Sequence, residues 1–189
     1  MQRRAFLQTA LAGLLGGALA SMTRAQEAAT PFSFQTVIDR ARALSAQPFQ
    51  RPAMTLTEPF ANLSYDAFRA IRPREDMRLL SQAQGFQVDP LPPGQFQDRV
   101  EIALVADGLA TPVAFSTRFF DFHPNYFPYP DGRAPEGLAA DLGFSGFRVR
   151  HELNRPGVWD ETLVFQGASY FRAVARDTLY GLSARGLAI

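Results

Sequence analysis

Short runs in which apolar and polar residues alternate dominate the chain from about residue 85 onward, and they constrain its fold more than any other feature. The clearest run extends from Val100 to Leu104 and is followed by Asp107-Gly108. A period of two residues is typical of a half-buried β-strand, and Asp-Gly is a frequent turn between paired strands. We therefore predict a β-hairpin here, with its second strand in the apolar run 113–120.

Further strand-like runs occupy 142–150, 161–166, 168–175 and 178–184, after a loop at 121–140 that is rich in proline and glycine. Hardly any helical pattern interrupts them, whereas parallel strands would need helical crossovers. The 17 Phe suit a pleated, half-buried surface, and the 14 Pro interrupt it often. The predicted fold class is mainly β, an incomplete antiparallel β-sandwich with one or two short N-terminal helices.

Two helices are expected before the strands. Apolar residues recur at helical spacing as far as Leu44, with Ser33 placed to cap this surface helix and Pro48 placed to stop it. Ser64 is placed to cap a second, short helix that Pro73 ends. The apolar residues that this second helix is expected to bury are Tyr65, Phe68 and Ile71.

The first 25 residues have the pattern of an export signal. Arg3 and Arg4 precede a weakly apolar stretch at 11–19, and small residues lead to a processing site near Ala25. The paired arginines followed by Phe-Leu indicate a twin-arginine signal, which would make the twin-arginine translocase a partner during export. A general secretory signal is the alternative. The stretch is too short for a spanning helix, so no stable membrane anchor is expected.

The composition excludes several kinds of chemistry. The chain has no cysteine, and all 19 of its basic residues are arginines, so thiolate ligands, cysteine nucleophiles and Schiff-base lysines are ruled out. Removal of the signal would leave 16 Arg against 18 acidic residues, a net charge of −2 that argues against a nucleic-acid partner. Nucleotide-binding, esterase and zinc-protease motifs are absent, and no cofactor is implied. His123 and His151 are too isolated to predict a metal site.

Acidic residues give no clear catalytic pair. Asp160 and Glu161 are adjacent, so on a strand they would lie on opposite faces, whereas a glycosidase needs two facing carboxylates. Four acids border the proline-rich loop and could be sugar ligands, but solvated loop acids are the favoured interpretation. These four acids are Asp121, Asp131, Glu136 and Asp141.

The run 167–173 carries the most suggestive pair of residues. Strand alternation would place Tyr170 and Arg172 on one face, where an aromatic ring and a guanidinium could contact a sugar. The structural alternative is a tyrosine packed at the sheet margin and an arginine paired with an acid. Tyr180 and Arg185 are similar candidates with weaker support.

Three blocks of sequence, at 141–149, 167–172 and 180–189, resemble the periplasmic glucan biosynthesis protein G/D family in order and spacing. A fainter likeness extends back through 65–68 to 32–34. In its twin-arginine export signal, the chain resembles the D member of the family more than the G member. The chain departs from the family at 86–94, where three prolines are expected to prevent regular pairing.

The resemblance implies a sandwich of the galactose-mutarotase-like type, followed in complete members by an immunoglobulin-like domain. It also implies that the protein shapes or trims the backbone of osmoregulated periplasmic glucans, which are β-1,2-linked. The alternative is a lectin-like module that binds the glucan without cleaving it. Some D-type members are similar to endo-β-1,2-glucanases, and the likeness puts their catalytic acids outside this chain. No catalytic residue is therefore predicted here.

The domain organisation expected from these patterns has three parts: the signal at 1–25, a helical and extended segment at 26–84, and the first part of the sandwich at 85–189. The apolar, strand-like ending at 185–189 predicts a chain that is truncated within a sheet.

Overall fold

The computed structural model describes residues 29–50, 54–80, 85–167, 169–179 and 184–185. The predicted signal, with Arg3, Arg4 and Ala25, lies outside the described residues, and so does Tyr180. Arg185 is described only through its backbone.

Strands outnumber helices throughout the described residues. The two α-helices are α1 (Phe34–Ser45) and α2 (Tyr65–Arg69). The strands are β1 (Thr30–Pro31), β2 (Ile71–Pro73), β3 (Gln87–Leu91), β4 (Ala103–Ala106), β5 (Leu109–Pro112), β6 (Phe120–Phe122), β7 (Gly146–His151), β8 (Asp160–Gln166), β9 (Tyr170–Ala173) and β10 (Ala184–Arg185). The mainly β, antiparallel fold class is confirmed.

The described strands form three antiparallel groups, in the orders β1-β5-β4, β10-β9-β8-β7-β3 and β2-β6. The predicted hairpin is β4-β5, and its turn residues Asp107 and Gly108 have φ values of 51° and 73°. Both values are positive, as the commonest two-residue hairpin turn requires. The position predicted for the second strand is wrong, because β5 follows the turn directly and ends at Pro112, before the predicted run 113–120 begins. Within that run, residues 117–119 form a turn of 3₁₀ helix and Phe120 begins β6.

Both predicted helices are present. Helix α1 follows Ser33, whose backbone N–H donates to Thr36 Oγ1 at 3.1 Å, and the helix buries no residue, as expected of a surface helix. Helix α2 is capped by Ser64, whose Oγ accepts from the Ala67 N–H at 3.2 Å.

The residues expected to be buried by α2 and the residue expected to end it need correction. Tyr65 is 60% exposed and Phe68 is only half-buried, because this five-residue helix buries none of its residues fully. Ile71 is buried, but in β2 rather than on the helix. The helix ends at Arg69, and Pro73 belongs to β2.

The prediction that prolines prevent pairing at 86–94 is also wrong for β3, which pairs regularly with β7. Val88 exchanges both of its backbone hydrogen bonds with Leu79, on the side of β3 away from β7. Pro90 lies two residues further on, so its missing N–H also faces away from β7. The proline therefore removes no hydrogen bond from the ladder between β3 and β7.

The core is a cluster of phenylalanines between the β2-β6 pair and the loops beside it. Phe60, Phe120, Phe122 and Phe144 are each at most 2% exposed, and their rings meet mainly edge to face. This core fixes β2 beside the five-stranded sheet. Among the described residues, no helix combines the length and the apolar character needed to cross a membrane.

The two faces of the five-stranded sheet differ in chemistry. Cross-strand neighbours share a face, so the register places polar and charged residues together on the side that faces β2. We call this side the polar face, and define it by Asp89, Arg148, Arg150, Glu161, Tyr170 and Arg172. The opposite face carries half-buried apolar side chains such as Phe147 and Phe165.

Candidate functional site

Tyr170 and Arg172 lie on the polar face, where strand alternation was expected to bring them together. Arg172 pairs in register with Val164 on β8, and Val164 pairs with Arg148 on β7. The backbone of Arg185 pairs with Tyr170 in β10. Tyr170 and Arg172 therefore lie on the same face of the paired strands as the arginines of β7.

Glu161 connects these residues electrostatically. Arg172 Nη2 donates to Glu161 Oε1 at 2.5 Å, and Arg148 Nη1 donates to Glu161 Oε2 at 3.4 Å. The side chain of Arg172 is 40% exposed, whereas that of Glu161 is 21% exposed. Arg172 therefore has the acidic partner of the structural alternative, and its side chain is also partly exposed to solvent.

Asp89 is the centre of the polar face, and it is only 1% exposed. Its Oδ1 accepts from Arg78 Nε at 2.9 Å, and its Oδ2 accepts from Arg148 Nε at 2.7 Å and Arg150 Nε at 2.8 Å. Arg78 also donates to Gln87 Oε1 at 2.7 Å. One buried carboxylate thus orients three guanidinium groups.

These contacts decide the protonation state of Asp89. Burial alone would raise the pKa of this carboxyl group, but the hydrogen bonds and positive charges of Arg150 and Arg148 outweigh it. The pKa of Asp89 is therefore held below its ordinary value of 3.8. A carboxylate fixed in this way is a permanent anion at neutral pH and cannot serve as a general acid.

Sequence reasoning missed the role of Asp89, because it treated the proline-containing stretch around it as irregular. One signal was available. Arg148 and Arg150 are two residues apart on a predicted strand, so they share a face and need a carboxylate from a neighbouring strand if they are to be buried.

A cavity of about 420 Å³ opens beside the polar face, where the end of α2 and strand β2 face β7. Its lining contains five arginines and one glutamate among the charged residues. Those charged residues are Arg69, Arg72, Arg78, Arg148, Arg150 and Glu75.

A second cavity, of about 490 Å³, lies beside the proline-rich loop. Its lining includes the predicted loop acids Asp121 and Asp131, together with His123 and Arg133. Arg133 forms an ion pair with Asp121. Glu136 and Asp141, the other two predicted loop acids, are not part of this lining.

The histidines have ordinary structural contacts. The Nδ1 atom of His151 lies 2.7 Å from the Gly85 carbonyl oxygen, and its ring stacks on Phe86. His123 accepts a hydrogen bond from the Asn125 N–H at its Nδ1 atom. In the described part of the chain, no group of three or more histidine or acidic side chains is arranged to hold a metal ion.

Comparison with known proteins gives one consistent family. Residues 32–189 match the family model described as "Periplasmic glucan biosynthesis protein, MdoG". A relative named "Glucans biosynthesis protein G" from Bradyrhizobium diazoefficiens is 41% identical over all of this chain and 37% of its own length. A protein of the same name from Vibrio cholerae is 41% identical over 84% of this chain and 28% of its own length. Another from Ralstonia nicotianae is 38% identical over 86% of this chain and 31% of its own length. The chain thus spans between 28% and 37% of the length of these relatives.

Proposed function

Because the chain belongs to the MdoG family of periplasmic glucan biosynthesis proteins, we propose that it works in the biosynthesis of osmoregulated periplasmic glucans. In this role it acts in the periplasm on a β-1,2-linked glucan backbone, which it shapes or trims after synthesis. The proposal rests on the position of Tyr170 and Arg172 on the polar face, beside the arginine-lined cavity.

The chemistry of this face suits a sugar chain. A tyrosine ring offers an apolar surface to a pyranose, and a guanidinium donates several hydrogen bonds in a fixed plane to hydroxyl groups. Arg172 is held by Glu161, so little side-chain freedom is lost when a ligand binds. The site is therefore organised before the glucan arrives.

A second candidate function is glucan binding without cleavage, in the manner of a lectin. Asp89 and Glu161, the two acids that define the polar face, both accept hydrogen bonds from arginines. A glycosidase needs one carboxyl group that stays protonated and a second that faces it across the substrate. The contacts of Asp89 and Glu161 favour binding over proton transfer.

Linear β-1,2-glucan tests both functions with the same purified chain. We expect calorimetry to detect saturable binding of this glucan and no comparable binding of a β-1,4-linked glucan of similar length. Chromatography of the incubated glucan then tests for trimming by this chain. Shortened products would support trimming and would contradict the expectation that the catalytic acids lie outside the chain, whereas unchanged glucan would support binding alone for these residues. Absence of binding to the β-1,2-linked glucan would reject the proposed site.

Export belongs to the same proposal. We infer that Arg3 and Arg4 direct the chain through the twin-arginine translocase, the feature by which it resembles the D type, although the relatives described above carry the G name. We also infer a galactose-mutarotase-like sandwich, on the basis of family resemblance. Changing both arginines to lysine in a reporter fusion should leave the reporter in the cytoplasm, and continued export would favour the general secretory route.

A further inference from the structure

We propose that the arginine-lined cavity between α2, β2 and β7 binds an anionic group, a phosphate or a carboxylate. This inference goes beyond glucan binding at Tyr170 and Arg172, and its test is independent of the test for glucan binding. Its basis is an excess of arginines that the described acids do not balance.

The charges around the cavity are strongly asymmetric. Five arginines line it, and Glu75 is the one acid in the lining. Even when Asp89 and Glu161, the acids outside the lining that pair with its arginines, are counted, positive charges exceed negative charges by two. Several guanidinium groups in one concave site create a positive potential that attracts an anion.

Arg69 and Arg72 supply the uncompensated charge. Within the described residues, neither forms an ion pair, and the one contact of the Arg69 guanidinium is with the ring of Tyr65, at 5.7 Å. Arg69 is the last residue of α2 and Arg72 is in β2, so both are carried by backbone that the core holds in place. Both residues are exposed, and Asp121, which lies opposite Arg72 across the β2-β6 pair, forms its ion pair with Arg133 instead.

Arg148 and Arg150 form the opposite wall, and they are already oriented. Their Nε atoms donate to Asp89, and the described contacts of their outer nitrogens use only Nη1, toward Glu161 and the Trp159 carbonyl oxygen. Oriented guanidinium groups match the geometry of phosphate and carboxylate oxygens better than flexible ammonium groups do. The cavity therefore combines two rigid donors with two free ones.

Among the described acids, Glu75 alone lines the site. Of the 18 acidic residues in this sequence, Glu27 is the one that lies outside the described ranges. A neutral sugar would leave the excess charge without a partner, whereas an anionic group would neutralise it. The volume of about 420 Å³ is enough for a phosphorylated or carboxylated monosaccharide.

The test uses inorganic phosphate, glucose 6-phosphate and glucose as probes in calorimetry with the full chain. We expect both phosphates to bind, glucose to show no binding, and both affinities to fall as sodium chloride is raised. Tighter binding of glucose 6-phosphate would identify a sugar-borne anion as the ligand class, whereas equal binding would identify the free anion. If neither phosphate binds, the proposal is wrong.

Variants connect the binding to this cavity. Arg72→Ala and Arg69→Ala should each weaken phosphate binding by about tenfold, since each removes a charge-assisted donor. Arg42→Ala is the matched control, because it removes an equal charge from the exposed surface of α1, where Arg42 pairs with Asp39. Unchanged affinity in both cavity variants, or an equal loss in the control, would overturn the assignment.

Glu27→Gln tests whether the chain's own carboxylate occupies the site. We expect this variant to bind phosphate as the unmodified chain does. A large gain in affinity would show that Glu27 is the occupant and would overturn the proposal. The glucan experiment gives a separate result, because Tyr170 and Arg172 are not among the residues that line the cavity.

Discussion

The chemistry of the polar face depends most on one residue, Asp89. Removing its charge would leave three arginines around a neutral amide, in a position that is 1% exposed. Loss of one partner from a buried ion network typically lowers the free energy of unfolding by about 3 kcal/mol or more. We therefore predict a loss of this size for Asp89→Asn, measured by urea denaturation at pH 7. Asp39→Asn, in an exposed pair with Arg42, should change it by less than about 0.5 kcal/mol.

The stabilisation from Asp89 should also depend on pH in one direction. The folded protein holds the pKa of Asp89 below the ordinary value of 3.8, so the folded state favours the charged form. The contribution is therefore fully present above about pH 3.8 and is lost as the pH falls toward the lower folded value. The difference in melting temperature between the unmodified chain and Asp89→Asn should be constant from pH 5 to 8 and shrink in stronger acid. A difference that grows in acid would contradict this account.

At the scale of elements, the polar face depends on the close pairing of β7 with β8. A Cβ atom added at Gly146 would lie 2.1 Å from the Phe165 carbonyl oxygen and 2.8 Å from the Gln166 Cα atom. Backbone atoms cannot move aside as a side chain can, so the strands would have to separate. Gly146→Ala should therefore lower the free energy of unfolding by about 2 kcal/mol or more, measured by urea denaturation.

Gly157 is the matched control, in the loop of the same hairpin. It has a φ of 75°, and an added Cβ atom would meet nothing within 4 Å. Gly157→Ala should cost about 1 kcal/mol, from backbone strain alone. Equal losses at the two positions would show that the close approach at Gly146 is not what matters.

Sequence patterns predicted individual helices and turns better than contacts between residues far apart in the chain. Ser33, Ser64 and the Asp107-Gly108 turn act over a few residues, so their local signals were sufficient to predict two helices and a hairpin. The polar face could be predicted only in part, since Tyr170 and Arg172 lie within one strand. Asp89 lies 59 residues from Arg148, and their contact depends on sheet order and register. The spacing of Arg148 and Arg150 indicates that they need a carboxylate, but no local pattern identifies Asp89 as the residue that supplies it.

At the scale of the whole molecule, the β2-β6 pair lies between the apolar core and the arginine-lined cavity. Phenylalanines pack on one side of it, and the other side borders a charged cavity through Arg72. The apolar core thus fixes Arg72 of β2 opposite the arginines of β7. This division explains how a chain that contains so much phenylalanine also presents a hydrophilic, charged surface.

The central claim is that the polar face contacts the glucan, and the affinity of Arg172→Ala for linear β-1,2-glucan tests it most directly. This variant should bind about tenfold more weakly than the unmodified chain, because a hydrogen-bonding guanidinium is lost. Stability should fall by less than about 1 kcal/mol, since the Arg172 side chain is 40% exposed. Arg176→Ala, which removes an exposed arginine bound to the Leu153 carbonyl oxygen, is the control and should bind normally. Unchanged affinity in Arg172→Ala, or an equal loss in Arg176→Ala, would contradict the account.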